Sequence, residues 1–347
     1  MATNFEVTVY RTELKQSLAT TDLEAAYQQV VDVDQLMSLY RADSELVSLN
    51  ALAGTGMVPV SAEMFDILGA AQHYSRLSDG AIDVTIQPLA ELWGFYHMES
   101  ATVPPLEKID AVLKKVGSNR LELDIAKEAV SLHGDSRLDL GSIAKGYAVD
   151  RALAALRARG VPAALVNLGG NIGVIGLPPG KRPWMIGIKH PREERLIGEV
   201  RFWHGAVATS GDYYRYFEVN GRRYSHLLDP RSGWPVQGMA SFTVVAPNAT
   251  AADALSTAAM VLGPVHGVQL LNECGNVDGL LLKPTSNGGK EIEYQTKVQV
   301  AETTAANKAP NGPVSFILEA KTSRIPSPQS GRSLNNSIQK CIWNIRS

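Results

Sequence analysis

Apolar and polar positions alternate along "FEVTVY" (5–10), the period of a strand with one buried face. The period then changes: Leu23, Tyr27, Val30, Val33, Met37 and Tyr40 recur every three or four residues, forming the stripe of a helix laid on a sheet. Thr21 followed by Glu24 predicts that this helix starts through a capping box. A second helix is predicted from Ser61 to Leu77, stopped by "SDG", and "AIDVTIQPLAELWGF" after it begins as a short strand turned by Pro88. Residues 100–118 read as a short helix opened by Pro104 and Pro105, and "LELD" with "AVSLH" as a hairpin. Between 163 and 248 strand-like runs dominate; a helix Thr250–Leu262, another around 264–274 and the strand "GLLLK" follow. This order lacks the βαβα alternation of a doubly wound sheet and predicts an α+β fold of mixed, largely antiparallel sheets packed with helices. One domain over 1–300 is expected, and 301–347, rich in Ser, Asn, Ala and Pro with little periodicity, reads as a low-complexity, disordered tail.

Composition narrows the function classes. A chain of 347 residues with 45% hydrophobic content can bury a sizeable core. Its 33 basic and 35 acidic residues leave a net charge of -2, which provides no broad cationic face for nucleic acid. Two cysteines, Cys274 and Cys341, support neither a disulfide framework nor a zinc site. No run of eighteen apolar residues occurs, and "MATNFEVTVYRTELK" has no basic segment leading an apolar core, so no export signal is expected in the chain as written.

Three stretches carry candidate chemistry. In "RLDLGSIAKGYAVDRALAALRARG" (137–160), Asp139 stands between two leucines just before a helix that should begin near Gly141 and Ser142 and stop at Gly160. The N–H groups and positive dipole end of that helix suit a phosphate, while Asp139 or Ser142 could equally be a plain helix cap. In "TAADALSTAAM", Asp253 and Thr257 lie one helical turn apart and offer two hard oxygen ligands of the kind magnesium prefers, or a cap and a solvated surface residue. In "ATSGDYYRYFEVNGRRYSHLLDPRSGWPV", a hairpin turning at "NG" gathers Ser210, Asp212, Arg215, His226, Asp229 and Arg231. "NLGGNIGVIG" has the wrong spacing for a dinucleotide fingerprint, and no P-loop, G-x-S-x-G elbow or HExxH is present.

Taken together, "DSELVSLN" (43–50), "SDGAIDVTIQPLAELWGF" (78–95), "LDLGSIAKGYAVDR" (138–151), "ALVNLGGNI" (164–172), the hairpin stretch (208–236) and "APNATAADALSTAAMVLG" (246–263) resemble the ApbE family of FAD:protein FMN transferases in order and spacing. The resemblance spans about residues 1–295 and leaves the tail outside. It implies a magnesium-dependent enzyme that cleaves FAD, attaches FMN through a phosphoester to a Thr or Ser of a partner protein and releases AMP. The acceptors it implies are flavin-carrying subunits of redox-driven ion pumps or membrane electron-transfer proteins. By the same resemblance Ser142, Asp253 and Thr257 are metal ligands, His226 is the catalytic base, and Met1, Tyr40, Ala81, Ile82, Asp83, Asp139, Lys145 and Leu227 contact FAD. Asn50 and the residues near it could tune the balance between transfer to a hydroxyl and hydrolysis of FAD by water. The family's location implies a periplasmic or inner-membrane lipoprotein, and the missing leader leaves a cytoplasmic protein open. A metal-dependent FAD pyrophosphatase and a non-catalytic FAD-binding protein would use the same cradle.

Overall fold

The computed structural model describes residues 3–11, 16–284, 292–296, 315–318 and 338–345, with side chains for 3–11 and 19–284. In chain order the elements are β1 (Thr3–Tyr10), α1 (Gln16–Met37), α2 (Glu45–Ala51), β2 (Val58–Pro59), α3 (Ala62–Leu77), α4 (Gln87–Leu92), α5 (Leu106–Leu113), β3 (Leu121–Asp124), β4 (Ala129–Leu132) and α6 (Ala144–Ala158). There follow β5 (Ala163–Leu168), β6 (Asn171–Ile175), β7 (Trp184–Lys189), β8 (Leu196–Phe202), β9 (Gly205–Gly211), β10 (Tyr216–Val219), β11 (Arg222–Ser225), β12 (Ser241–Ala246), α7 (Ala249–Glu273), β13 (Asp278–Pro284), β14 (Ile292–Thr296), β15 (Ser315–Leu318) and β16 (Ile338–Ile345).

Eight strands form one sheet in the order β14-β13-β12-β9-β6-β5-β1-β16, with every neighbouring pair antiparallel. Side-chain alternation divides it into two faces. Phe5, Val7 and Val9 of β1, Phe242, Val244 and Ala246 of β12, and Leu281 of β13 pack with α1, α3, α6 and α7 in one buried cluster. Val207, Val245, Leu280 and Leu282 point the other way, onto Trp184, Ile188, Val200 and Phe202 of the small sheet β7-β8-β15. A third cluster, in which Trp93 and Phe95 meet Tyr224 and Leu228, seats the hairpin β10-β11 on α4 and α5. The fold is α+β, as the alternation of periods predicts.

Several boundaries differ from the sequence pattern. The first helix begins at Gln16, and Thr21 lies inside it, its hydroxyl accepting from Arg159 Nη2 at 2.8 Å, while Tyr40 falls beyond the helix end. Residues 81–86 form no strand: Pro88 sits in the first turn of α4, where its fixed φ and missing N–H are harmless. The helix expected over 100–118 contracts to α5. The tail expected to be disordered supplies β15, and β16 pairs with β1 over eight residues, because "IQKCIWNI" is rich enough in β-formers to cover an open strand edge; the rest of 301–347 lies outside the described residues. α7 has the length and hydropathy of a membrane span, with half of its most apolar window buried, and it packs on α6, β9 and β12. Its break at Gly263 (φ 77°), followed by Pro264, separates the two helices predicted there.

Candidate active site

The chain between the last residues of β4 and the start of α6 is shaped by a side chain far away in sequence. Asn50 Nδ2 donates to the Leu138 carbonyl at 2.9 Å and its Oδ1 accepts from Leu138 N–H at 2.7 Å, so a buried amide pairs with backbone as a strand would. Asn50 therefore positions Asp139 from behind and does not itself line the cavity. Leu138 and Leu140 enter the core, and Asp139 faces the opposite way, into a cavity of about 470 Å³. Its Oδ1 accepts from Gly141 N–H at 2.7 Å and its Oδ2 from the Tyr96 hydroxyl. Neither Asp139 nor Ser142 caps α6, whose N-cap is Ile143 without a side-chain bond. The cap reading is thereby removed for both.

The N-terminal end of α6 points instead at α7. Gly146 N–H donates to Asp253 Oδ2 at 2.9 Å, and Lys145 Nζ lies 3.5 Å from Asp253 Oδ1 while donating to the Gly141 carbonyl at 2.8 Å. This approach requires glycine, since a Cβ at 146 would stand 2.2 Å from the Ala249 carbonyl oxygen and 2.8 Å from Asp253 Cβ. Asp150 fixes the other side of the contact by accepting from the N–H groups of Ala249 and Thr250, both at 2.8 Å, and Asn248 caps α7. Asp253 is 3% exposed, so it is neither cap nor solvated surface. Burial pushes its carboxyl pKa up, against the opposing pull of Lys145 and the Gly146 N–H. One turn on, Thr257 Oγ1 lies 3.0 Å from Ser210 Oγ at the end of β9.

His226 follows β11 at the base of the hairpin, opposite the turn formed by Asn220 and Gly221, both at positive φ. Its backbone N–H donates to the Arg215 carbonyl at 3.0 Å, and its Nδ1 lies 3.2 Å from the same oxygen. An Nδ1–H donor leaves Nε2 with a free lone pair. Desolvation, opposed by that backbone bond and reinforced by the charges of Arg215 and Lys145, lowers the imidazole pKa to about 4, so the ring is neutral at neutral pH.

The cavity collects the predicted site residues from five distant stretches. Tyr40, Ala81, Ile82, Asp83, Asp139, Ser142, Lys145, His226, Leu227, Asp253 and Thr257 all line it; Met1 lies outside the described residues. Asp83 is largely committed to the fold, its Oδ1 accepting from both the backbone and the hydroxyl of Thr85. Among the hairpin candidates Ser210 and Arg215 join the wall. Asp212 turns away to a bidentate pair with Arg192 at 2.6 Å, and Asp229 is held by Arg231 within its own turn. Sequence reasoning missed Tyr96 and Gly146: the phenol lies in a stretch with no periodicity of its own, whereas a glycine inside the first turn of a helix was a readable signal of close approach.

Charge decides what the cavity can hold. Its lining has three carboxylates, Asp83, Asp139 and Asp253, against two cations, Lys145 and Arg215. An anionic diphosphate is opposed there until positive charge is added. Asp253, a buried carboxylate, with Thr257 one turn on and Ser142 in the same lining, supplies hard oxygen donors of the kind a small divalent cation takes, so the residues present fit magnesium.

A profile of the ApbE family matches residues 1–281. The chain belongs to the ApbE family. A FAD:protein FMN transferase of Escherichia coli (strain K12) is 33% identical over 264 residues, covering 74% of this chain and 75% of its own. One from Vibrio cholerae is 34% identical over 267 residues, covering 75% and 78%. Among solved structures, an ApbE protein of Thermotoga maritima superposes with a TM-score of 0.75 at 35% identity, covering 84% of this chain and 93% of that one. The apo form of the Pseudomonas stutzeri flavinyl transferase ApbE gives 0.73 at 35% identity, covering 84% and 90%. ApbE architecture thus extends through the helices and strands that build the cavity.

Proposed function

We propose that this chain is an FAD:protein FMN transferase that moves the FMN half of FAD onto a Thr or Ser hydroxyl of an acceptor protein and releases AMP. The observation that carries the reading is one cavity lined together by the neutral imidazole of His226, the buried carboxylate of Asp253 and the hydroxyl residues Ser142 and Thr257. In the reaction the acceptor oxygen forms a bond to the FMN-side phosphorus, the bond from that phosphorus to the bridging oxygen breaks, and AMP leaves with the bridging oxygen. His226 Nε2 takes the hydroxyl proton, its tautomer held by the Arg215 carbonyl. Lys145 places an ammonium in the cavity at the N-terminal end of α6, and the buried Ala81, Ile82 and Leu227 form apolar wall for the flavin. Tyr40, 47% exposed at the mouth, offers a ring for stacking. Magnesium held by Ser142, Asp253 and Thr257 would neutralise diphosphate oxygens and stabilise charge on the departing AMP. The acceptor class implied by the family resemblance is a flavin-carrying subunit of a membrane electron-transfer or ion-pumping protein, with the transferase on the periplasmic side of the membrane.

The test is incubation of the purified chain with FAD, magnesium and an acceptor domain bearing a candidate threonine, read by intact mass and AMP release. An FMN-sized gain on the acceptor, abolished by EDTA, supports transfer. AMP and free FMN with every acceptor unlabelled would favour hydrolysis of FAD, and bound, uncleaved FAD would leave a binding protein.

A further inference from the structure

The two cations of the cavity differ in one respect. Lys145 is ion-paired with Asp253, whereas the Arg215 guanidinium makes no ion pair among the described residues. Its Nη1 donates to the neutral Tyr40 hydroxyl at 2.6 Å, across the mouth, with the guanidinium carbon 5.7 Å from the centre of the Tyr40 ring. The side chain is exposed, and its own backbone carbonyl is the acceptor that orients His226. A planar cation thus lines the cavity with a phenol as its side-chain partner, anchored at the residue whose carbonyl orients the base. Arginine's fork matches two phosphate oxygens, and pairing with an anion is stronger than a bond to a neutral hydroxyl.

We infer that Arg215 is a substrate-binding and specificity-determining residue: its guanidinium exchanges the Tyr40 hydroxyl for the diphosphate of FAD, so that the site distinguishes the dinucleotide from flavins without phosphate. This rests on the transferase reading and adds to it a residue that reads the diphosphate directly. The exchange needs only rotation of a solvent-facing side chain. It also gives a cavity with more carboxylates than cations a positive charge, unpaired among the described residues, with which to meet an anion.

Binding of FAD and of riboflavin to the wild type, Arg215→Gln and Arg215→Lys, each measured by titration calorimetry with magnesium present, tests the assignment. Arg215→Gln should weaken FAD binding about tenfold or more and leave riboflavin within about twofold, since one charge-assisted pair is lost and the flavin wall is untouched. Arg215→Lys should fall between, retaining charge without the fork. The side chain is exposed, so both variants should melt like the wild type, which is checked alongside. Equal weakening of FAD and riboflavin, or an Arg215→Gln variant with wild-type FAD affinity, overturns the inference while leaving the transferase reading intact if the wild type still labels its acceptor. A wild type that binds riboflavin as tightly as FAD overturns the inference, whereas a wild type that labels no acceptor overturns the transferase reading on which it rests.

Discussion

His226 owes its chemistry to what surrounds it. Were it solvated, half of it would be protonated near pH 6.5; the cavity and the neighbouring Arg215 and Lys145 bring its pKa to about 4. A base works in its unprotonated form, so kcat/KM for transfer at saturating magnesium should stay level from neutral pH down to about pH 5 and decline as pH approaches 4. An acidic limb centred at 6.5 would show that the imidazole is solvated in the free enzyme. Replacing His226 by Ala should lower the transfer rate by roughly 10²- to 10⁴-fold with FAD affinity nearly unchanged, in an intact-mass time course run beside calorimetry; an unchanged rate would hand the proton to solvent. Asp253 has the opposite character. Its raised pKa means that the folded state holds the proton more tightly than the unfolded one, so the ionised carboxylate costs stability at neutral pH, a cost that diminishes as pH falls. Asp253→Asn keeps the shape and the acceptor for Gly146 N–H, and should melt no lower than the wild type at pH 7 while losing magnesium binding. A marked fall in Tm with magnesium binding retained would make Asp253 a structural residue.

At the scale of elements, the site is a junction between α6 and α7 facing the base of a hairpin. Gly146→Ala tests the junction: a Cβ would meet Ala249 O at 2.2 Å, overpacking that should cost about 1–3 kcal/mol in urea unfolding and should weaken magnesium binding by moving Asp253. Magnesium affinity equal to wild type would mean that the helices separate without disturbing the donors. The elements themselves were largely legible, because burial on one face imposes period two on β1 and three-to-four on α1 and α3. Where pattern failed, a local signal had two meanings. Thr21 and Glu24 have capping-box spacing, yet a preceding turn continues the helix to Gln16; Pro88 could stop a strand or open a helix, and the Trp93 cluster beneath it fits the helix. The site residues were named through family resemblance, since the bare sequence left Asp139 and Asp253 divided between cap and ligand. What no period encodes is the cross-chain contact: Tyr96 on Asp139 and Asn50 on Leu138 join residues 43 and 88 positions apart.

Over the whole molecule, the cavity wall runs from Thr3 at the start of β1 to Thr257 on α7, so β1, α1, α6, β9 and α7 all contribute to it. A ligand bound there holds together parts that separate on unfolding, and its binding free energy adds to global stability. At a hundred times its Kd a ligand contributes about 2.7 kcal/mol, enough to raise Tm by several degrees in a domain of this size. FAD with magnesium should therefore raise Tm more than the sum of the two added singly, because the cavity's excess of carboxylates opposes the diphosphate until a divalent charge is present. The extra increment is a coupling free energy and must appear equally as a tightening of magnesium by FAD. In Asp253→Asn the synergy should vanish while a smaller shift from FAD alone persists or grows, since one carboxylate has been neutralised. Synergy undiminished in that variant would place the divalent cation on other donors, and strictly additive shifts in the wild type would mean that metal and diphosphate do not share this cavity.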